Sequence, residues 1–385
     1  MNYWILFYVI VMGVVSIMNA WNYASLITYG DKNKRRKYTI MSVLMLLSAF
    51  GCGYFIYYKE TYLSLSGTVV VALAYAATIW VVAMLVMWIP LTVLRLLRRL
   101  GSTRVWSIAA TCLLVLTFAV SAYGAVDGHL HWERERLEVT SEHLPQSFEG
   151  LKIALIADTH IGPYYRLDDL REQIADARRE RADYVVIAGD LIDETDPTVL
   201  KELQEIINNE GTYFTYGIDF VWGNHEYYYN RPRVETALRG TRLRILENEH
   251  YELRRGNAAI IVAGVDYPFG KESRAKEVEQ FTDAALAGTT ENQFRILIAH
   301  HPDFIKAGFD RNVDLILAGH THGMQINIMG HPLLPLYVYN RGAFYERQSV
   351  GYVTRGTGHW FPFRTGCPRE LTYITLHAGK KKEVK

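Results

Sequence analysis

Five short runs of chemically able residues stand in one order in the C-terminal half of the chain. They are Asp158-Thr159-His160, Gly189-Asp190-Leu191-Ile192-Asp193, Gly223-Asn224-His225-Glu226, His300-His301-Pro302 and Gly319-His320-Thr321-His322-Gly323. A sixth, arginine-bearing segment covers 356–370. Carboxylate, imidazole and carboxamide oxygen together make a ligand set for divalent ions such as Mn, Fe, Zn or Mg. No Cys stands among them, which disfavours a thiolate-rich structural zinc site and points to a catalytic one. Each motif alone is weak, because Gly-Asn-His is more often a turn with a solvated imidazole, and Gly189 or Gly223 alone reads as a turn glycine. Five in one order are hard to assign to turns.

Such residues need elements that bring them together. Each motif follows a short apolar run (153–157, 184–188, 220–222, 296–299 and 315–318) of the kind that forms a buried strand. Open α/β sheets gather ligands beyond the carboxyl ends of their strands, so loops distant in sequence converge there. Between the first two runs, Leu167, Leu170, Ile174 and Ala177 recur at helical spacing, as a right-handed crossover helix requires. Asp196 and Pro197 read as N-cap and first position of a second helix with an apolar face of Leu200, Leu203, Ile206 and Ile207, closed by Gly211. Val234 and Leu238 before Gly240 give a shorter one, and further strands are expected at 244–247, 259–265 and 373–376.

The ordered set D-x-H, G-D-x-x-D, G-N-H-[DE], a lone His and G-H-x-H resembles the calcineurin-like metallophosphoesterase superfamily over about 151–376. The tail Arg355-Gly356-Thr357-Gly358-His359-Trp360 with Arg364, Pro368 and Glu370 resembles the end of its membrane-anchored bacterial branch. The likeness implies an α/β domain of two packed mixed β-sheets flanked by helices. It implies two divalent ions, one held by Asp158, His160, Asp190 and His322, the other by Asn224, His300 and His320, with Asp190 bridging and His225 as the acid near the leaving group. His301 reads as a neighbour of the ligand His300. Met324 departs from the branch, which has a second Gly there, and is expected to crowd the mouth of the site. Two cations roughly 3.5–4 Å apart clamp the attacking and leaving oxygens of an in-line phosphoryl displacement, and a bridging water acidified to about pKa 7 is the nucleophile in such sites. The expected activity is therefore that of a metal-dependent phosphohydrolase.

The N-terminal third is a different object. Four apolar stretches at 3–28, 40–58, 68–97 and 105–126 each approach or exceed the ~20 residues that cross hydrocarbon, and none carries the polar stripe of a soluble bundle helix. The composition of the whole chain, 50% hydrophobic with a net charge of +1, averages over this split. The expected order is a four-helix transmembrane region at 1–128, a membrane-proximal connector at 129–150, the metallophosphoesterase domain at 151–378 and a basic tail at 379–385. Lys32, Lys34, Arg35, Arg36 and Lys37 fill the first loop and Arg98, Arg99 and Arg104 the third, whereas the second holds only Lys59. Basic loops stay cytoplasmic, so a multi-pass protein of the cell membrane with an extracytoplasmic catalytic domain is expected. A first apolar stretch this long, without a basic start, does not read as a cleaved signal peptide.

Cys52 and Cys112 lie in expected spans and Cys367 stands alone in the globular part, so no disulfide is expected there. The scattered Lys and Arg make no nucleic-acid stripe. Pro332-Leu333-Leu334-Pro335-Leu336-Tyr337-Val338-Tyr339, with Phe344, Tyr345, Trp360, Phe361 and Phe363, is unusually apolar. It admits two readings: a core strand at 336–339, or an exposed lip that takes a lipid tail while the phosphate reaches the ions. The substrate expected is a lipid-linked phosphate or pyrophosphate ester. The alternatives are a phosphodiesterase or phosphatase on soluble nucleotides, and a membrane-anchored metal-containing binding protein without turnover.

Overall fold

The apolar runs that precede the polar motifs fold as short, fully buried strands. In this computed structural model the described residues are 3–28, 34–57, 67–162, 164–270, 273–359 and 361–380. They fall into two units, Met1–Asp127 with Phe361–Phe363, and Gly128–Trp360 with Arg364–Lys385.

The second unit is built on two six-stranded mixed sheets. In the first, β1 (Trp132–Ser141), β14 (Arg369–Ala378), β2 (Lys152–Ile156), β3 (Tyr184–Ala188), β4 (Ile218–Val221) and β5 (Leu243–Ile245) lie side by side in that order. Strands β2 to β5 are mutually parallel, and β14 runs antiparallel to β2. In the second sheet the order is β12 (Gly342–Glu346), β13 (Ser349–Val353), β9 (Leu315–Ala318), β8 (Arg295–Ile298), β7 (Ala258–Gly264) and β6 (Glu249–Arg255). Its four central strands are parallel and its two edges antiparallel. Parallel strands covered on both faces lose the polar alternation of a half-exposed strand, which is why they read as continuous apolar runs.

Alternate residues of β2 serve two cores. Ile153 and Leu155 pack with Val186, Val221, Val262, Ile296, Leu315 and Ile374 from both sheets. Ala154 and Ile156 pack with α5 (Leu167–Arg179), α6 (Pro197–Glu210) and α8 (Arg231–Arg239). The outer face of the second sheet is covered by α9 (Arg274–Ala285) and α10 (Phe304–Asp310). Each fully buried Val, Leu, Ile or Phe contributes about 1.5–3 kcal/mol, so these layers hold the strand ends rigidly. α6 starts as its residues dictate: Asp196 caps it, its carboxylate accepting from the Thr198 N–H at 2.8 Å, and Pro197 occupies the first turn.

One segment differs from expectation. The charged stretch 132–138, read as a connector, is the start of the ten-residue strand β1, paired in parallel with β14 from Trp132 opposite Arg369 onward. Its charges are taken up on both sides: Arg134 pairs with Asp176 of α5 at 2.7 Å, and Glu133 and Glu135 accept from Arg355. An edge strand satisfied by ion pairs shows no apolar alternation until Leu137 and Val139.

In the first unit the apolar stretches form α1 (Tyr3–Ile27), α2 (Lys34–Tyr57), α3 (Gly67–Leu97) and α4 (Thr103–Leu130). Three of them, over Ile10–Ile27, Tyr75–Leu100 and Thr103–Leu130, are long and apolar enough to cross a membrane among the described residues. The fourth expected span, at 40–58, coincides with α2 but lies partly outside them. Polar residues tie α1 to α3: Asn19 Nδ2 donates to the Met84 carbonyl at 2.7 Å, and Asn22 Nδ2 to Thr92 Oγ1 at 2.8 Å. Such bonds between apolar helices hold a register that dispersion alone would leave loose. Phe361 and Phe363, expected in an exposed lip, pack instead with Tyr75, Ile79, Val82 and Ala125 of this unit; Trp360 lies outside the described residues.

Candidate metal centre

All eight residues singled out by the motifs sit in loops at the carboxyl ends of five parallel strands. Asp158 and His160 follow β2, Asp190 follows β3, and Asn224 and His225 follow β4 at the start of α7 (Asn224–Tyr228). His300 follows β8, and His320 and His322 follow β9, so both sheets contribute. The loops converge. His160 Nε2 lies 3.1 Å from His322 Nε2, which is 3.5 Å from Asp158 Oδ1. Asp190 Oδ2 lies 3.1 Å from His300 Nε2 and 3.7 Å from His160 Nε2, between the two sets. His320 Nδ1 completes the second set, 3.1 Å from His300 Nε2. Asp158, His160 and His322 thus form one group able to hold a cation, and Asp190, His300 and His320 another. Asn224 Oδ1 is buried and has no hydrogen-bond partner among the described residues. An orphaned carboxamide oxygen beside these groups is the polar atom a cation would satisfy, so the residues fit a dinuclear centre.

The far side of each ring fixes which nitrogen faces the centre. His160 donates from Nδ1 to Asp193 Oδ1 at 3.0 Å, and His300 from Nδ1 to the Ala188 carbonyl at 2.8 Å, which leaves both Nε2 lone pairs inward. His320 turns the other way, with Nδ1 inward and Nε2 3.1 Å from the Tyr337 hydroxyl. Behind His322, the fully buried Arg364 donates to the carbonyls of His322, Arg355 and Gly358, and binds the tail to the ligand loop. Burial lowers the Arg364 guanidinium to about 10.

The backbone is bent to make this arrangement. Asp158, His160, Asp190, His320 and His322 all have positive φ, between 49° and 72°, a region costly for side chains with a Cβ and commonly retained at functional sites. Met324 does too, at 63°, which explains why glycine suits that position. Gly223 is required by close approach: a Cβ there would stand 2.1 Å from Asp190 Oδ1. Glu226 ties the loops together from beneath, its carboxylate accepting from the backbone N–H of Leu191 at 2.6 Å and of Gly223 at 2.9 Å.

His225 stands apart from the two groups, its ring 4.3 Å from that of His160 and its Nε2 4.0 Å from Asp190 Oδ2. Burial would lower its pKa, but the carboxylates of Asp190 and Asp193 outweigh that and raise it to about 9. The same Asp193 Oδ1 that holds His160 accepts from His225 Nδ1 at 2.7 Å. Although burial disfavours its charge, the two imidazoles keep the Asp193 carboxyl far below the ordinary range. Asp193 was visible in its motif, but a role shared between two rings from different loops leaves no mark in spacing. His301 joins neither group. It is buried, and burial first, then the charge of Arg274, lowers its pKa to about 3.

Aromatic and aliphatic side chains stand exposed near the centre. Tyr228 lies 5.6 Å from the His225 ring and 6.4 Å from Phe269, and both aromatics are exposed. The apolar stretch 333–340 forms no strand, so the core-strand reading of 336–339 fails there: Leu336 is 73% and Val338 86% exposed. The two tyrosines turn inward, Tyr339 packing 5.0 Å from Phe344 and Tyr337 5.6 Å from His320. The loop is nonetheless pinned to the centre, through Tyr337 to His320 and through the Asn340 carbonyl, which accepts from Thr321 Oγ1 at 2.6 Å.

A family model described as calcineurin-like phosphoesterase matches residues 151–324, which include all eight. The chain is 31% identical over 246 residues to an uncharacterized metallophosphoesterase of Helicobacter pylori, covering 63% of this chain and 64% of that protein. It is 29% identical over 279 residues to a transmembrane protein with metallophosphoesterase domain of Danio rerio, covering 68% and 61%. With an uncharacterized metallophosphoesterase of Aquifex aeolicus it shares 30% identity over 249 residues, 63% of this chain and 90% of that one. The chain spans less than two thirds of the first two relatives and nearly all of the third. Motif order, a two-sheet core with the motifs at its strand ends, and a relative matched almost from end to end agree, and the chain belongs to the calcineurin-like phosphoesterase family.

Proposed function

We propose that this protein is a membrane-held, metal-dependent phosphohydrolase that cleaves a lipid-linked phosphoester. The observation that carries the lipid assignment is the exposed aliphatic loop, Leu333, Leu334, Leu336 and Val338, locked by Tyr337 to the candidate ligand His320. Apolar side chains left in water beside a cation-binding centre suit an amphiphile with an anionic head. Confinement of enzyme and substrate to one bilayer raises their effective concentration, an advantage a soluble ester would not share.

When bound, two divalent ions supply a nucleophile acidified to near neutrality and neutralise the phosphoryl oxygens. Asp158, His160, Asp190 and His322 would hold one and Asn224, His300 and His320 the other, with Asp190 common to both. His225 performs the remaining proton transfer: its Nδ1–H is fixed by Asp193, so the protonated Nε2 faces the leaving group and gives it a proton as the ester bond breaks. The Asp193 carboxylate beside the ring favours its protonated form.

Several membrane passes with the catalytic unit on the outer side follow from the basic loops. A cysteine placed at Ser102 should resist a membrane-impermeant thiol reagent in intact cells while one at Glu142 is labelled; the reverse pattern inverts the orientation. A second reading, a nucleotide substrate, is favoured by the exposed Tyr228 and Phe269, which offer a stacking face beside His225. The separating experiment is Leu336→Ser with Val338→Ser. Loss of two apolar contacts of about 1.5–3 kcal/mol each at full burial should raise KM for a long-chain lipid phosphate at least ~10-fold and leave a short soluble ester within about twofold. Equal weakening of both, or a wild-type preference for soluble nucleotides, would refute the lipid assignment.

A further inference from the structure

Arg274 stands in the first turn of α9, exposed, with its guanidinium turned to the centre: Nη1 lies 3.2 Å from Nε2 of the buried His301. The His301 ring is 4.7 Å from that of His320 and 5.7 Å from both Tyr267 and Tyr337. The charge of Arg274 also acts on His301, Asp303, Tyr267 and Tyr337.

Its surroundings do not explain it as a structural residue. Several arginines of the domain are matched by carboxylates, Arg134 by Asp176, Arg244 by Asp219 and Arg311 by Glu279 and Asp283, and the buried Arg364 by backbone carbonyls. Among the described residues no carboxylate pairs with Arg274; its polar contact is an imidazole. A cation in the first turn also opposes the helix dipole, so α9 does not gain from it. A guanidinium is charged at every physiological pH and presents five N–H donors in a planar fork that matches a phosphate. Set beside a candidate dinuclear centre, that fork has donors left over for an anion the ions do not hold.

We propose that Arg274 is the arm of a second anion subsite, which grips a phosphoryl group adjoining the one cleaved, and that the substrate is therefore a diphosphate ester. This rests on the phosphohydrolase reading of the centre and narrows its substrate class. The fork binds non-bridging oxygens of the neighbouring phosphoryl group and takes no part in bond making or breaking, so Arg274 is a positioning and specificity residue.

The test compares P1,P2-dibutyl diphosphate with dibutyl phosphate, which carry the same alkyl groups and differ by one phosphoryl unit. Binding to the full chain at saturating Mn is read by calorimetry, and KM and kcat by product release. Arg274→Ala should weaken the diphosphate about 10–100-fold in Kd and KM and leave dibutyl phosphate within about threefold, as loss of a charged hydrogen-bonding arm implies. Arg274→Lys, which keeps the charge without the fork, should recover part of the loss. Equal weakening of both ligands, or an unchanged diphosphate affinity, would overturn the subsite. Absence of turnover on either ester by the wild type would instead overturn the hydrolase reading, while the binding comparison still decides the role of Arg274.

Discussion

Replacement of Asp193 by Asn perturbs the proposed acid and one proposed metal ligand together without altering either ring. Asp193 Oδ1 accepts from His225 Nδ1 at 2.7 Å and from His160 Nδ1 at 3.0 Å, so one charge orients two rings. Asn preserves the shape and removes the charge. A hydrogen bond to a charged group is worth about 1.5–3 kcal/mol, and at 1.36 kcal/mol per factor of ten its loss at His225 lowers kcat about 10–150-fold. Asp193 is one of the two carboxylates that raise the His225 pKa against burial, so with it neutral the acid should give up its proton at lower pH and the alkaline fall of kcat should begin earlier than in wild type. At His160 the same change should weaken metal binding about 10–100-fold, the usual effect of removing an outer partner of a ligating histidine. The assay is kcat at saturating Mn on an alkyl and a p-nitrophenyl ester of the same phosphate. The alkyl ester, whose leaving oxygen needs a proton, should suffer most. An alkyl-ester kcat within threefold of wild type, or equal losses on the two esters, would refute the shared role of Asp193.

Other outcomes follow from the same geometry. Asp190→Asn takes the carboxylate between the two groups, so both ions should bind more weakly and hydrolysis should fall by several orders of magnitude, read by metal titration beside turnover. His225→Ala should keep its metal content and lose turnover about 10²–10⁴-fold, with less loss on the p-nitrophenyl ester. Asp176, on α5 and outside both ligand groups, should set an acid limit on stability. Although burial opposes its charge, Arg134, Tyr373 and Arg179 hold its carboxyl at about 2, below the ordinary 3.8. A lowered folded pKa means this stabilisation is complete above the ordinary value and is lost as pH falls through the folded one, about 1–2 kcal/mol allowing for solvent screening. Asp176→Asn should lower Tm at neutral pH and flatten its fall below pH ~4; an unchanged acid limb would remove Asp176 from the account.

The strands that carry the motifs were legible because parallel strands buried on both faces cannot alternate, and 153–157 or 315–318 can hardly be anything else. The loops were legible because ligand residue types recur at their ends. What stayed hidden depends on partners distant in the chain. β1 looked like a charged connector because its apolar face is replaced by ion pairs to Asp176 and Arg355. Tyr337 lies in a stretch whose composition announces burial, and its hydrogen bond to His320 is invisible to spacing. Phe361 and Phe363 were grouped with that stretch by composition, yet they pack among the helices. Arg274 follows no motif, and its approach to His301 appears only in the folded chain.

The most direct test of the proposed dinuclear centre is metal content measured by plasma mass spectrometry on the purified chain, in parallel with phosphoester hydrolysis before and after chelation. Two divalent ions per chain are expected, with hydrolysis falling as they are stripped, returning as they are restored, and both ions lost together in Asp190→Asn. A single ion per chain, or hydrolysis undiminished in metal-free protein, would contradict the account.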